Sequence, residues 1–265
     1  YYGDEYKVMG LAPYGEPEFA DSICKMIRPK GDTFELNLDF FTHHKNGVKM
    51  KWNDGAPIVE PFHSQKLIDE LGPMRAKDEP MTPRHDNIAK SLQVVTEEII
   101  LHMLNRLHAK TKSDNLCMTG GVAMNSVANG KITSQTPFKN VYIPAGAADN
   151  GTSFGAAFYV WNKVLGKPRR FVQDHAYWGN ESSDDECAAA ITEAGLPFDQ
   201  LQEPERLDQT TDLMLDGKVV GWFQGRMEFG ARALGSRSLI ADPRRTDMRD
   251  IINLRIKFRE KFRPF

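Results

Sequence analysis

Hydrophobic residues recur at three- and four-residue steps through a long stretch that begins at Asp86 and is closed by Lys110-Thr111-Lys112. This spacing places apolar side chains on one face of a helix, and it predicts the longest helix of the chain. Further along, short apolar runs alternate with helical patterns. We predict strands at 115–119 and 140–144 and helices at 122–132 and 150–164, with a glycine turn after each strand. This alternation predicts an α/β fold in which helices pack on a sheet and ligands collect at the carboxyl ends of the strands.

The part of the chain before the long helix has weaker patterns. Glycine and proline punctuate residues 3–15, which predicts a loop, and the stretch 53–85 is rich in proline and charge, as is typical of an insertion or a lid. The regular elements predicted here are a helix at 18–28, strands at 33–40 and 47–52, and a short helix near 62–71.

A polar stretch separates these elements from the C-terminal part of the chain. The helix and strand patterns are interrupted at 167–170 and again at 179–185, and we place a domain boundary between the two, which gives domains at 1–174 and 175–265. After the boundary we predict helices at 184–194 and 204–216, a strand at 218–223, a glycine-bounded loop at 224–238 and a basic amphipathic helix at 246–262.

Composition narrows the classes of function. The chain has 265 residues, 40% hydrophobic and 26% charged, so it can bury a sizeable core. Its formal net charge of -2 gives no general attraction to nucleic acid or to anionic membranes, so any anion site must be local. No apolar run approaches the length of a membrane span. Cys24, Cys117 and Cys187 form no CxxC pair, which argues against a disulfide framework or a zinc knuckle, and a reducing cytoplasm is the simplest location.

The two glycine turns are the first candidates for chemistry. Gly120-Gly121 permits a ligand to approach the backbone closely, and Asn125 is placed to hydrogen-bond a ribose or a carbonyl, although a structural polar contact within a helix explains Asn125 equally well. Asp149, in the turn Asp149-Asn150-Gly151, has room to bind a metal or a magnesium-coordinated phosphate, but these residue types are also ordinary in turns. The sequence contains neither a Walker A motif nor a GxGxxG fingerprint, which argues against a P-loop NTPase and a Rossmann dehydrogenase.

A second candidate is the arginine-rich loop. Arg226, Arg232 and Arg237 alternate with glycines, and the later run 257–264 alternates cations with phenylalanines. Converging arginines can hold a phosphorylated small molecule through forked hydrogen bonds. A single-stranded nucleic acid stacked on Phe258 and Phe262 is an alternative that the overall acidity of the chain disfavours. The remaining alternative is the basic face of a surface helix with Asp250 and Glu260 as partners.

Several segments taken together resemble one family, the O-carbamoyltransferases that modify nodulation factors and antibiotics. The matching segments are EYKVMGLAPYG at 5–15, IAKSLQ at 88–93, LCMTGGVAMNSVANGKI at 116–132, DNGTSFGAA at 149–157, GRMEFGARALGSRSLIADPR at 225–244 and KFREKFRPF at 257–265. They extend over nearly the whole chain, and they are specific in combination.

The resemblance implies part of an actin-like ATPase domain, of the ASKHA type also found in tRNA threonylcarbamoyladenosine enzymes, followed by the start of an α+β YrdC-like domain. It implies an enzyme for which carbamoyl phosphate and ATP give carbamoyl-adenylate, from which the carbamoyl group passes to the hydroxyl of a small-molecule acceptor. A cytoplasmic homodimer fits this expectation. The alternative is a non-catalytic nucleotide-binding module built on the same actin-like fold.

The resemblance also assigns residues. Arg232, Lys257 and Arg263 match the residues that hold carbamoyl phosphate, and they are the expected catalytic set. The Gly120-Gly121 turn matches the nucleotide loop, and Asp149 matches an aspartate that completes a divalent metal site, for Fe, Mg or Mn, with two histidines of an HxxxH motif. The residues expected to bind the cofactors are therefore Gly120, Gly121, Asn125, Asp149 and Gly151.

This sequence departs from the family pattern in one respect that bears on activity. No two of its seven histidines have the HxxxH spacing. We therefore expect an internal fragment of the longer enzyme, without turnover of its own.

Overall fold

The computed structural model describes residues 4–76 and 79–264. Its α-helices are α1 (Lys7–Leu11), α2 (Ala20–Met26), α3 (His43–Asn46), α4 (Gln65–Leu71), α5 (Pro83–Thr111), α6 (Ser126–Asn129), α7 (Ile132–Gln135), α8 (Thr152–Tyr159), α9 (Asp184–Glu193), α10 (Glu203–Leu215) and α11 (Met248–Ile251). Its strands are β1 (Ile27–Lys30), β2 (Thr33–Leu36), β3 (Met50–Asn53), β4 (Ala56–Val59), β5 (Asn115–Cys117), β6 (Asn140–Tyr142), β7 (Val220–Phe223) and β8 (Arg237–Ile240).

The strands of the described residues pair two by two. Three pairs are antiparallel (β1 with β2, β3 with β4, β7 with β8), whereas β5 and β6 are parallel. The parallel pair is the strand pair that the alternating pattern predicts. The chain therefore has a mixed α/β architecture, as the sequence indicates.

The chain divides into two compact units. The first contains the described residues up to Cys117 together with 125–142 and 262–264, and the second contains 118–124 and 143–261. The domain boundary at 174/175 was placed on sequence patterns, whereas these units are defined by contacts within the chain, and the boundary stays a prediction.

Helix α5 is the longest helix of the first unit, and several other elements of that unit pack on it. It begins three residues before the predicted start, because Thr82 forms a capping box with His85 and Pro83 occupies the first turn, where its missing N–H costs nothing. It ends at Thr111, and the next residue, Lys112, adopts the left-handed conformation. Its residues Val95 and Ile99 pack with Ile23 of α2 in the core, so the predicted long helix and the helix at 18–28 are both confirmed.

Two predictions, for residues 3–15 and for residues 122–132, are wrong. Residues 3–15 were predicted as a loop, but α1 and a 3₁₀ turn at Ala12–Tyr14 pack on α5. A side chain at Gly15 would lie 2.1 Å from the carbonyl oxygen of Asp86, so this glycine serves close packing of two backbones rather than breaking structure. The single helix predicted at 122–132 is instead a 3₁₀ turn at Gly121–Met124 followed by α6 and α7, because Asn125 caps α6 and Gly130 follows its last residue.

The second unit confirms the helices predicted at 150–164, 184–194 and 204–216. Helix α8 continues as a π-helical turn at Val160–Val164. Helix α9 begins with a capping box in which Ser183 and Glu186 satisfy each other's backbone N–H groups. Strand β8 begins at Arg237, within the last two residues of the predicted loop, and extends to Ile240, where no strand was predicted; it pairs with β7.

The basic helix predicted at 246–262 is wrong in its second half. Helix α11 passes into a π-helical turn that ends at Ile256, and the chain then folds back. The fully buried Asn253 fixes this reversal: its Oδ1 accepts from Arg259 Nε at 2.6 Å and its Nδ2 donates to the Lys261 carbonyl at 3.3 Å. Phe258 at the turn has a φ of 46° and is 83% exposed. Phe258 and Phe262 therefore do not share a helix face, which removes the geometry assumed for stacked nucleic acid.

No helix in the described ranges is long and apolar enough to cross a membrane.

Candidate functional site

The glycine turn that follows β5 belongs to the second unit. Gly120 has a φ of 100°, a conformation that favours glycine, and its N–H donates to the Ala147 carbonyl at 2.7 Å. The Thr119 hydroxyl donates to the same carbonyl at 3.0 Å. Side chains built at Gly120 or Gly121 would meet nothing within 4 Å, so this backbone faces open space and is accessible to a ligand.

The turn that carries Asp149 is closed by an unusually close approach of two glycines. A Cβ at Gly151 would lie 1.8 Å from the carbonyl oxygen of Gly146, so only glycine fits this position. The Asp149 carbonyl accepts from the Thr152 hydroxyl at 2.6 Å. The exposed Asp149 carboxylate makes no hydrogen bond or ion pair with residues in the described ranges, and it is therefore available to a ligand.

The arginine-rich loop lies against this same turn. Gly230, with a φ of 144°, approaches Ala145 so closely that a Cβ would lie 2.6 Å from its carbonyl oxygen. The Phe229 ring packs edge-to-face on Phe154 of α8, with the ring centroids 4.5 Å apart. The second unit thus brings together three segments that are distant in sequence: the turn at 118–124, the turn at 145–151 and the arginine-rich loop.

Glu228 holds the base of the arginine-rich loop. Its carboxylate is buried and accepts the N–H groups of Leu234 at 2.8 Å and Ser236 at 2.7 Å. These backbone hydrogen bonds stabilise the charged form and lower the pKa of Glu228 to about 2. Sequence reasoning did not select this residue, because an isolated glutamate in a loop carries no periodic or spacing signal.

The three arginines of the loop have different roles. Arg237 donates to the carbonyls of Gln224 at 2.9 Å and Ser236 at 2.8 Å, and its guanidinium lies 3.4 Å from the centre of the Phe223 ring. Arg226 pairs with Glu181 at 3.1 Å.

Arg232 differs from both. It is exposed and makes no hydrogen bond or ion pair with the described part of the chain. Of the three, Arg232 is therefore the arginine that can offer its whole guanidinium to an anion.

The other two predicted catalytic residues lie on the C-terminal segment. Lys257 follows the π-helical turn, and its backbone N–H donates to the Ile252 carbonyl at 2.8 Å while the residue is exposed. It belongs to the second unit, as Arg232 does. Arg263 belongs to the first unit, where its guanidinium lies 4.6 Å from the centre of the Tyr6 ring.

Asn125 has a structural role that the sequence left open. Its side-chain oxygen accepts from the Ala128 N–H at 3.1 Å and so caps α6. Its amide also pairs with Gln93 through bonds of 3.1 and 3.0 Å, and the buried Gln93 donates to the buried Glu97 at 2.7 Å. Glu97 in turn pairs with Lys131. Sequence reasoning missed Gln93 and Glu97, although two polar residues four apart on the buried face of a helix were a signal.

A metal site is not complete within the described residues. No three His, Cys, Asp or Glu side chains come close enough to hold an ion there. Asp149 can supply one carboxylate, but hard divalent cations need several ligands. The residues described do not by themselves fit the expected metal.

Two family models match the chain. The model described as the carbamoyltransferase N-terminus matches residues 2–158, which is more than half of the chain. This chain belongs to the carbamoyltransferase family. The model described as the carbamoyltransferase C-terminus matches residues 211–265. Family membership is therefore confirmed as the sequence segments predicted it.

Individual relatives agree with this assignment. The nodulation protein NolO of Bradyrhizobium diazoefficiens is 34% identical over 99% of this chain and 44% of its own length. The nodulation protein NolNO of Sinorhizobium fredii is 36% identical over 99% of this chain and 36% of its own length. An uncharacterised protein of Synechocystis sp. is 40% identical over 98% of this chain and 42% of its own length. The chain thus spans less than half the length of the curated relatives it matches.

Proposed function

We propose that this chain is part of a transferase that uses ATP and carbamoyl phosphate to form carbamoyl-adenylate and passes the carbamoyl group to an acceptor hydroxyl. Membership of the carbamoyltransferase family supports carbamoyl as the group that is transferred. The observation that supports this assignment of the site is that the second unit brings the accessible Gly120-Gly121 turn, the turn with the exposed Asp149, and the loop with Arg232 together. Arg232 makes no hydrogen bond or ion pair with the described residues. The nodulation proteins among its relatives are consistent with a small-molecule acceptor.

The chemistry explains why these groups would be needed together. Forming carbamoyl-adenylate requires an oxygen to attack the nucleotide phosphorus while two polyanions are held side by side. Arg232 and Lys257, both in the second unit, are proposed to bind carbamoyl phosphate and to stabilise the charge that develops. For Arg263 a role in binding carbamoyl phosphate is proposed on the family resemblance alone. Cations that are already in position stabilise developing charge effectively, because they need no reorganisation during the reaction.

ATP is proposed to bind at the glycine turns. The exposed backbone at Gly120 and Gly121 allows phosphate groups to approach without meeting a side chain, and Gly151 keeps the neighbouring turn narrow. Asn125 is proposed to reach the nucleotide while it caps α6. Because Asp149 alone does not make a metal site, we propose it as one ligand of a divalent ion whose other ligands lie outside the described residues.

The wider assignments rest on the same family resemblance. We propose that residues 1–174 form part of an actin-like domain and that 175–265 begin a YrdC-like domain. A cytoplasmic location and a homodimer are also proposals.

Calorimetric titration of the chain with carbamoyl phosphate tests the site. We expect Arg232→Ala to weaken binding by about 10- to 100-fold, the effect of losing charge-assisted hydrogen bonds to an anion. Arg226→Ala is the matched control, because Arg226 lies in the same loop but is paired with Glu181. Equal affinity of Arg232→Ala and the wild type for carbamoyl phosphate would reject the assignment. ATP binding without carbamoyl phosphate binding would instead favour the nucleotide-binding module.

A further inference from the structure

The loop that carries Arg232 is closed at its base by a single side chain. Residues 229–235 lie between Glu228 and Ser236, and one carboxylate oxygen of Glu228 accepts the N–H groups of both Leu234 and Ser236. The side chain is 9% exposed, so water competes little for these hydrogen bonds. Each of these bonds is charge-assisted, which makes the closure stronger than one made by a neutral acceptor.

Neighbouring groups hold the same loop at both of its ends. The Phe229 N–H donates to the Ala176 carbonyl at 2.7 Å, and the Tyr177 hydroxyl donates to the Leu234 carbonyl at 3.1 Å. The Gly235 N–H donates to the Ser238 hydroxyl at 3.0 Å. The backbone on either side of Arg232 is therefore fixed, whereas its guanidinium is left without a partner in the described part of the chain.

We propose that Glu228 is a positioning residue for the carbamoyl phosphate site, which acts by holding loop 229–235 in the form that presents Arg232 to the anion. This inference rests on the proposed function, in which Arg232 binds carbamoyl phosphate. Glu228 does not touch the ligand in this proposal. Its effect is to fix the arginine before the ligand arrives, so that less conformational freedom is lost on binding.

The sign of the effect separates positioning from simple electrostatics. A carboxylate near an anion site repels the anion, so removing Glu228 would strengthen carbamoyl phosphate binding if its charge were the whole of its influence. Positioning predicts the opposite, because the loop loses its closure and Arg232 samples other conformations. A purely structural role predicts lower stability with unchanged affinity.

Asp242 offers a matched control in the same unit. Its carboxylate is also buried, and it accepts from the backbone N–H of Arg244 at 3.0 Å and from its guanidinium at 2.8 Å, but it does not contact the loop at 229–235 in the hydrogen bonds described. Asp242→Asn therefore removes a comparable carboxylate without opening that loop.

The test combines calorimetric titration with carbamoyl phosphate and amide hydrogen exchange of the 265-residue chain. We expect Glu228→Ala to weaken binding about tenfold or more, Glu228→Gln to fall between it and the wild type, and Glu228→Ala/Arg232→Ala to bind no more weakly than Arg232→Ala alone. Exchange at 229–236 should rise in the Glu228 variants and stay unchanged in Asp242→Asn. Glu228→Gln keeps the test valid if Glu228→Ala does not fold.

The outcomes distinguish this inference from the proposed function. If Arg232→Ala binds carbamoyl phosphate as the wild type does, or the wild type does not bind it, the proposed function fails. If Arg232→Ala weakens binding but the Glu228 variants bind normally or more tightly, positioning is overturned and the proposed function stands. Independent, additive losses in the double variant, or unchanged exchange in the loop, would also overturn positioning.

Discussion

Replacing Gly151 with alanine should destabilise the second unit through a backbone collision that no side-chain movement can relieve. The added Cβ would lie 1.8 Å from the Gly146 carbonyl oxygen, whereas Cβ atoms essentially never lie within 3.0 Å of a heavy atom from a residue that is not a chain neighbour. Two segments of backbone must therefore separate by about 1.2 Å, the difference between these distances. Overpacking of this kind costs about 3 kcal/mol. For a chain of this size, that cost lowers the melting temperature by roughly 6–12 °C.

Circular dichroism melts and urea titrations measure this loss, and two other glycines provide the controls. Gly155 lies on α8 with nothing within 4 Å of its built Cβ, so Gly155→Ala should melt at or slightly above the wild type, because alanine favours helix. A Gly151→Ala protein that melts within about 2 °C of the wild type would refute the reasoning.

Gly121→Ala separates a role in folding from a role in binding. Its built Cβ meets nothing within 4 Å, and its backbone is outside the left-handed region, so the substitution should leave the melting temperature unchanged. If the glycine turn binds ATP, the new methyl group occupies the space of the ligand and weakens ATP binding in a titration. Unchanged ATP affinity in this variant would contradict the proposed nucleotide contact.

Two further predictions concern stability. Glu228 and Asp242 have pKa values lowered to about 2 in the folded chain from ordinary values of 4.5 and 3.8, so protonation favours the unfolded chain, and the urea midpoint should fall as the pH drops through this range towards 2. Glu228→Gln should reduce that fall, and a midpoint independent of acid would contradict it. Ile132 is fully buried in the first unit, so Ile132→Ala should lower the free energy of unfolding in urea titrations by about 2–5 kcal/mol. Val127 is 41% exposed, so Val127→Ala should lower it by about 0.5 kcal/mol or less. Equal effects of the two substitutions would count against the burial argument.

The regular elements were largely predictable where local spacing carries the information. The apolar periodicity extends through most of the 29 residues of α5, and no competing pattern is as long. The capping residues Ser183 and Glu186 mark the start of α9 within a few positions. Strands β5 and β6 lie within the two short apolar runs from which they were predicted. In these cases the chain determines its structure from neighbours a few residues away.

The predictions failed where a distant or buried polar contact decides the structure. The segment after Ile256 has helical spacing, but the hydrogen bonds of Asn253 to Arg259 and Lys261 hold it in a reversal. Glycine and proline between 3 and 15 indicated a loop, although packing on α5 made helical turns there. No spacing rule distinguishes an asparagine that caps a helix from one that folds the chain back on itself.

The candidate site was predictable residue by residue but not as an arrangement. Gly120, Gly151 and Arg232 were each selected from the sequence or from the family resemblance. That the segments carrying them lie together depends on three consecutive small residues, 145–147. The Ala145 carbonyl lies against Gly230 of the arginine-rich loop, the Gly146 carbonyl lies against Gly151 of the same turn, and the Ala147 carbonyl accepts the Gly120 N–H. Larger side chains in this tripeptide or at the glycines would keep these backbones apart.

This construction from backbone contacts has a consequence for function. Because glycines and carbonyl oxygens hold the three segments together, the carboxylate of Asp149 and the guanidinium of Arg232 need not take part in the architecture, and both are free of partners among the described residues. Arg226 is paired with Glu181 outside the loop, and Arg237 donates to carbonyls of the loop itself. The sequence presents three equivalent arginines, and what separates them is which one folding leaves uncommitted. A charged side chain that folding does not use is the one that remains available to neutralise a substrate.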